Sequence, residues 1–333
     1  MTVLANWDNP SLPMYYNLVY NEVFGWHDGN GREYAILGSM AWTHFIEVTN
    51  PAAPVVRDSV AGTFGQCIHR DFKTYGNYCY GVADEGNSTL QVIDMSYLPD
   101  SVHVVYNSAQ FFDRAHNCFV DSASGRLYIV GSNTQNQGVI VLDIGTNPEV
   151  PTLLGSVNLG SYTHDLSVRG DTAYMNNGFD GFRIYDFANP AAPVMLASLP
   201  SYPQQGYNHS CWLTEDGDYL VMCDETRNKS CKIVDVRNFG NLNITSMFRS
   251  ALLFPDSTSI PHNPLVIGNY AVIAYYHDGV QIWDISNKSA PVHVAGYDTY
   301  PINTTYNDWY GAWGTYPFLP SGTVLGSDVH NGL

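Results

Sequence analysis

The chain has 333 residues, 45% of them hydrophobic and 14% aromatic, with 24 Tyr, 29 Gly and 18 Pro. This balance favours strands and turns over helices and supplies a substantial core. A formal net charge of −17 argues against nucleic acid and anionic membrane surfaces as partners, and no apolar run reaches the roughly 18 residues of a transmembrane helix.

Along the chain one phrase returns: an apolar strand ending in an acid, then a turn, then Pro and another strand. It reads HFIEVTNPAAPVV, LQVIDMSYLPDSV, VIVLDIGTNPEVP, FRIYDFANPAAPV, CKIVDVRNFGNLN and VQIWDISNKSAPV, with acids at Glu47, Asp94, Asp143, Asp186, Asp235 and Asp284. The separations of 47, 49, 43, 49 and 49 residues match a four-stranded propeller blade, and the 3.6-residue period of a helical repeat is absent. In the fourth unit HDLSVRG is the inner strand, DTAYMNN the second, GFRIYDF the third and APVMLASL the outer one. There the Asn-Pro pair, Asn189 and Pro190, ends the third strand, because Pro donates no ladder hydrogen bond.

Head and tail complement each other. The tail, AWGTYPFLPSGTVLGSDVHNGL, reads as an inner strand, a second strand and the start of a third; the head, TVLANWDNPSLPMYYNLVY, reads as a third-strand remnant, a turn and an outer strand. The expected fold is therefore an all-β, seven-bladed β-propeller with four-stranded blades, one domain over residues 1–333, closed by both termini in a shared seventh blade. Such closure pairs two edges that would otherwise invite aggregation.

The strand phrases LQVID, VIVLD, CKIVD and VQIWD, the Asn-Pro-x-x-Pro turns, the HD and HN strand starts, and the ending YPFLPSG…SDVHNGL resemble the LVIVD-repeat surface proteins, and within them the choice-of-anchor B group. The resemblance covers essentially the whole chain. It implies a secreted or cell-surface propeller with an interchangeable anchoring segment, and it transfers no catalytic motif. MTVLANWDNPSLP has no signal-peptide core, so this reading places the export signal and the anchor outside these residues.

Each inner strand begins in a similar way. His69 stands in CIHRDF, His116 in AHNCFV, His164 in THDLSV, His209 in NHSCWL and His262 in PHNPLV, while Asn21 holds the matching place in the first unit and an aromatic region surrounds Trp313 in the last. Equivalent positions of successive blades lie at one height around the axis, so the five imidazoles are expected to converge. Neutral imidazoles ligate divalent transition metals, and an open coordination position activates water or polarises a substrate oxygen. Asn21, Glu22, Asp71, Asp113 and Asp165 lie beside the ring positions as expected partners fixing tautomers, or as a general base. The alternative stands beside this one: the histidines staple blade to blade, with water filling the channel.

Other signals are weaker. DGNG at 28–31 lacks the full calcium-loop spacing and reads as a tight turn, while ADEGN and CDETRN place paired acids in loops that would take calcium or simply face solvent. His44, His277 and His330 read as residues of the turns into third strands. Cys118 and Cys211 follow ring histidines by two residues and read as packing thiols. Cys223 and Cys231 flank a short turn and would face each other across a hairpin; Cys67 and Cys79 are placed to do the same, so disulfides and buried thiols both stand open. Sequons at Asn87, Asn208, Asn228, Asn243, Asn287 and Asn303 matter only in a glycosylating host.

Two functional expectations follow. The first is an extracellular or cell-surface module that binds a protein or glycan through its loop faces, with a divalent transition metal at the axial histidines. The second is a metal-dependent extracellular hydrolase, lyase or oxidase with its active site there.

Overall fold

The computed structural model describes residues 1–250, 259–301 and 309–333; the sequon at Asn303 lies outside them. Each phased repeat forms an antiparallel sheet in simple up-and-down order. Blade one holds β1 (Tyr20–His27), β2 (Glu33–Ser39), β3 (Trp42–Glu47) and β4 (Val55–Ala61). Blade two holds β5 (Arg70–Tyr75), β6 (Tyr78–Ala83), β7 (Leu90–Asp94) and β8 (His103–Ser108). Blade three holds β9 (Asn117–Asp121), β10 (Arg126–Val130), β11 (Gly138–Asp143) and β12 (Thr152–Asn158). Blade four holds β13 (Asp165–Arg169), β14 (Thr172–Asn176), β15 (Phe182–Asp186) and β16 (Val194–Leu199). Blade five holds β17 (Asn208–Leu213), β18 (Tyr219–Asp224), β19 (Cys231–Asp235) and β20 (Asn243–Phe248). Blade six holds β21 (Pro264–Ile267), β22 (Tyr270–Ala274), β23 (Val280–Asp284) and β24 (Val292–Tyr297).

The repeat phrase has a local mechanism. The acid that ends a third strand turns its carboxylate back onto the amide two residues on: Asp94 to Ser96 (2.8 Å), Asp143 to Gly145 (2.9 Å), Asp186 to Ala188 (2.7 Å) and Asp284 to Ser286 (2.8 Å). The following Asn does the same, as Asn189 does to Ala191 at 3.2 Å, so two side-chain turns in series reverse the chain. Each third strand then meets its outer strand with a register shift at an equivalent place. These bulges twist the outer edges away from flat pairing. The second and third strands are almost wholly buried, as in β2 and β7, because neighbouring blades cover both faces, which is why they read as apolar runs rather than alternations.

The seven-bladed expectation is corrected. Among the described residues there are six four-stranded blades, and the remaining sheet has two strands, β25 (Ala312–Tyr316) and β26 (Leu325–Asp328). The first 19 residues contribute no strand. Head and tail meet through a reciprocal backbone pair, Trp7 and Leu333, at 2.8 and 2.9 Å, through the Asn6 side-chain amide on the Asn331 carbonyl (2.7 Å), and through the Val19 and Tyr20 amides on the Val329 carbonyl (2.9 and 3.1 Å). Residues Met1–Asn6 form one wall of a groove of about 470 Å³, with Leu325, Gly326 and Asp328 on another, and do not pair with β26. The hairpin nevertheless lies between blades six and one. Ala312 packs with Val272, Ala274 and Val280, and Leu325 packs with Tyr20, Val23 and Leu37.

All six cysteines are buried free thiols, with the Cys223 and Cys231 sulfurs facing each other at 3.5 Å. Blade five also buries an ion pair between Lys232 and Asp224, both fully inaccessible, with Tyr202 donating to Asp224 at 2.5 Å. Removing one member leaves a charge without its partner in a dry site. Lys232→Ala is therefore expected to lower unfolding stability by about 3–5 kcal/mol, read from the urea midpoint, and a change within error would show that the pair does not support the fold.

Candidate functional site: a histidine ring on the axis

The backbone of each ring residue is pinned to its own blade. The His116 amide donates to Val130 (3.2 Å), that of His164 to Asn176 (2.8 Å) and that of His262 to Ala274 (2.9 Å), all second-strand carbonyls. The side chains consequently meet on the axis at one height. Successive ring centroids are 5.4 Å apart for His69–His116, 4.0 Å for His116–His164, 4.3 Å for His164–His209 and 4.3 Å for His209–His262. Trp313 closes the circle at 4.9 Å from His262 and 5.5 Å from His69. Asn21 is buried but turns its amide nitrogen to the Cys67 carbonyl (3.2 Å).

The carboxylates that meet the ring come from the loops after second strands, the paired acids that the sequence reading assigned to calcium or to solvent. His69 Nδ1 contacts Glu85 at 2.6 Å and His116 Nδ1 contacts Asp84 at 3.0 Å. Glu225 lies 3.8 Å from His209 Nε2 and 4.0 Å from His262 Nε2, and accepts from the Tyr276 hydroxyl at 2.6 Å. The usable signal was a repeated Asp-Glu pair, 84–85 and 224–225, at matching places in blades two and five. Asp113 is exposed and bonded to Asn133 (3.0 Å). Glu22, Asp71 and Asp165 lie at the next level of the channel, lining a small cavity of their own.

The ring is electrostatically lopsided. Burial, reinforced by the neighbouring imidazoles, pushes His164 and His209 well below the usual histidine value. Burial likewise takes His262 down to about 3, although its hydrogen bond to the Trp313 carbonyl works the other way. His69, at 36% side-chain exposure, moves upward: burial lowers it, but the Glu85 hydrogen bond and the charges of Glu85 and Asp84 outweigh that. Burial raises Glu225. One side of the ring is thus neutral and dry, the other open and acid-lined, beside a cleft of about 480 Å³ bordered by Phe64, Asp84, Glu85 and Arg114.

The donor set suits a metal. Ligand atoms of His116, His164 and His209 lie within 4.8 Å of one another, as do those of His209, Glu225 and His262. His164 Nδ1 and His209 Nδ1 are buried without a hydrogen-bond partner, which is costly for an imidazole that serves only as a staple. Asp84 on Nδ1 of His116, and the Trp313 carbonyl on Nδ1 of His262 (2.5 Å), leave each Nε2 with its lone pair directed elsewhere, as in carboxylate–histidine–metal arrangements.

The remaining sequence readings fall into place around this site. His44 is inside β3, between Ser59 (2.8 Å) and Ser39 (3.0 Å), rather than in a turn. The backbone turns at Tyr275–Gly279, beside His277. Cys118 and Cys211 are buried thiols whose pKa burial raises, and Asp28 closes its turn onto the amides of Asn30 (2.7 Å) and Arg32 (3.0 Å).

Inner strands arranged about a polar axis, each leading outward through its blade, define a β-propeller. Three segments, 69–98, 160–199 and 265–299, match the LVIVD repeat, so the chain is a β-propeller that carries LVIVD repeats. No curated protein matches the chain. Solved structures similar to it include a protein from Lactobacillus plantarum (12% identity, 87% of this chain and 93% of that one, TM-score 0.64). The WD40 repeats of RRP9 are similar at 10% identity, over 96% of this chain and 89% of that one, with a TM-score of 0.68. The periplasmic gluconolactonase of Pseudomonas aeruginosa is similar at 12% identity, over 84% and 96%, with a TM-score of 0.59. At these identities the likeness is one of fold.

Folding keeps His164, His209 and His262 neutral, whereas the unfolded chain protonates them near pH 6.5. For a base whose folded pKa is depressed, the stability is complete above the unfolded value and is lost as pH falls from about 6.5 toward the folded one. Glu225, raised, acts with the opposite sign. Urea midpoints are therefore expected to fall on acidification below pH 6.5, with a shallower dependence in His209→Gln; equal slopes in the two proteins would refute neutral burial of His209.

Proposed function

We propose that the protein is a metal-binding propeller of the extracellular space or cell surface, in which His116, His164 and His209 hold a divalent transition metal and the adjoining cleft receives a protein or glycan ligand. The observation that carries this reading is the convergence of three imidazoles, two of them held neutral by burial and with an orphaned nitrogen. Such a donor set favours zinc, copper, nickel or iron over calcium. The extracellular placement rests on the acidic composition and on the resemblance to anchored surface propellers, including the choice-of-anchor B group.

A second reading, metal-dependent hydrolysis, is favoured by one feature: Glu225, a buried carboxylate of raised pKa held by Tyr276 beside two of the imidazoles. A carboxylate poised in this way is suited to take a proton from a water that the metal activates. Gluconolactonase activity belongs to the Pseudomonas aeruginosa neighbour, and at 12% identity it serves here only to suggest lactones and esters as the first substrates to try.

Elemental analysis of purified protein is expected to find stoichiometric transition metal, lost from a His116→Ala/His164→Ala/His209→Ala variant that keeps its β-sheet circular dichroism. A metal-free wild type that takes up none on addition would sink the proposal. Glu225→Gln divides the two readings. Metal retained with turnover of a lactone or ester panel lowered about 100-fold or more marks an enzyme, whereas a wild type that binds metal and turns over nothing marks a binding module.

A further inference from the structure

One residue further along the inner strands, or two in blade two and in the β25–β26 hairpin, a second level of the channel has a different chemistry. Glu22, Asp71, Asn117, Asp165, Ser210, Asn263 and Thr315 surround a cavity of about 50 Å³. Three carboxylates face one ammonium, and that ammonium, Lys73, is already paired with Asp71.

The hydrogen-bond inventory is one-sided. Asn263 spends its amide donor on Glu22 (3.0 Å), Ser210 spends its hydroxyl on the His262 carbonyl (2.5 Å), and the Val23 and Leu166 amides are taken by Glu22 and Asp165. Three acceptors remain without a partner: Asn117 Oδ1, Asn263 Oδ1 and Thr315 Oγ1. Asn117 and Thr315 are only 8% and 3% exposed, so the idle acceptors are not solvated from outside. A buried cavity with spare acceptors and excess negative charge calls for a cationic donor.

Geometry narrows the choice of cation. Among the described residues, Glu22, Asp71 and Asp165 do not bring three ligand atoms within 4.8 Å of one another, so they cannot jointly ligate a bare ion at the about 2.3–2.6 Å of calcium–oxygen bonds. An ammonium reaches further, donating three hydrogen bonds of about 2.8 Å each in divergent directions. The same cavity is also walled by the half-buried aromatics Phe24, Phe119 and Trp212. Lys73 sits 5.4 Å from the Phe24 ring, showing that cations are accommodated against this wall.

We propose that this level is a binding site for a primary alkylammonium group of a small ligand, with Glu22 and Asp165 as its charge partners, Asn117 and Thr315 as neutral acceptors, and the alkyl chain lying along Phe119 and Trp212. It is independent of metal at the histidine ring. The molecule's overall charge of −17 favours approach of such a cation.

Calorimetric titration of the full chain with cadaverine tests this, with pentanol as the uncharged control. Saturable binding of cadaverine and none of pentanol is expected, with affinity weakened about tenfold or more in Glu22→Gln and in Asp165→Asn. Asp113→Asn, at an exposed residue bonded to Asn133 away from the cavity, should bind cadaverine as the wild type does. Three results would overturn the proposal: no saturable binding to folded wild type at millimolar cadaverine, equal affinity in both carboxylate variants, or calcium binding lost in those variants while cadaverine does not compete. The wild-type comparison of cadaverine with pentanol decides the matter even if a variant fails to fold.

Discussion

The structure depends on one constraint: the inner strands bring their polar first residues to a common axis where water has little room. A side chain placed there must find its partners among the equivalent residues of other blades. Five imidazoles and the Trp313 indole satisfy this by packing ring against ring, and the deep members remain neutral because a buried charge beside other imidazoles is too costly. Neutrality makes a histidine a ligand rather than a cation. The packing requirement and the metal-binding chemistry therefore point the same way.

The axis is graded as well as layered. On the side of blades two and three, Asp84 and Glu85 hold the outward nitrogens of His116 and His69 beside an open cleft. On the opposite side Glu225 is shut in with His209, His262 and Tyr276. A ligand arriving from the cleft would meet the solvated face first, while the atoms best suited to hold a metal lie behind it. Below this lies the carboxylate level, so one channel contains a base-rich storey and an acid-rich storey separated by one or two residues of inner strand.

The sheets beneath this axis are held by means that have little to do with it. Side-chain turns at Asp186 and Asn189, and their counterparts in other blades, reverse the chain locally, and apolar second and third strands bury both faces against neighbouring blades. The hairpin of β25 and β26 shares its apolar contacts between blades six and one. Trp313 is delivered by that hairpin, so the short sheet completes the ring of side chains even though it is not a four-stranded blade.

Much of this was legible in the sequence because it is written in periodic, local terms. Strand alternation, the acid and Asn that close each turn, and the phase of the five histidines are properties of single repeats, and a repeat places equivalent residues at one height by symmetry. The number of full blades was not local. The head and tail read as complementary, yet whether residues 1–6 pair with β26 depends on contacts between chain ends, and the reciprocal backbone pair there is Trp7 with Leu333. The ring's carboxylates were likewise out of reach: Glu85 and Glu225 stand 16 residues from the histidines they serve (His69 and His209), in loops that composition alone assigns to solvent. Sequence by itself determined the blade, its turns and the imidazole circle, because those follow from short-range stereochemistry repeated in register. Tertiary structure alone decided the closure, the partners of each imidazole and which of them stay neutral, because burial and charge proximity are set by neighbours from other blades.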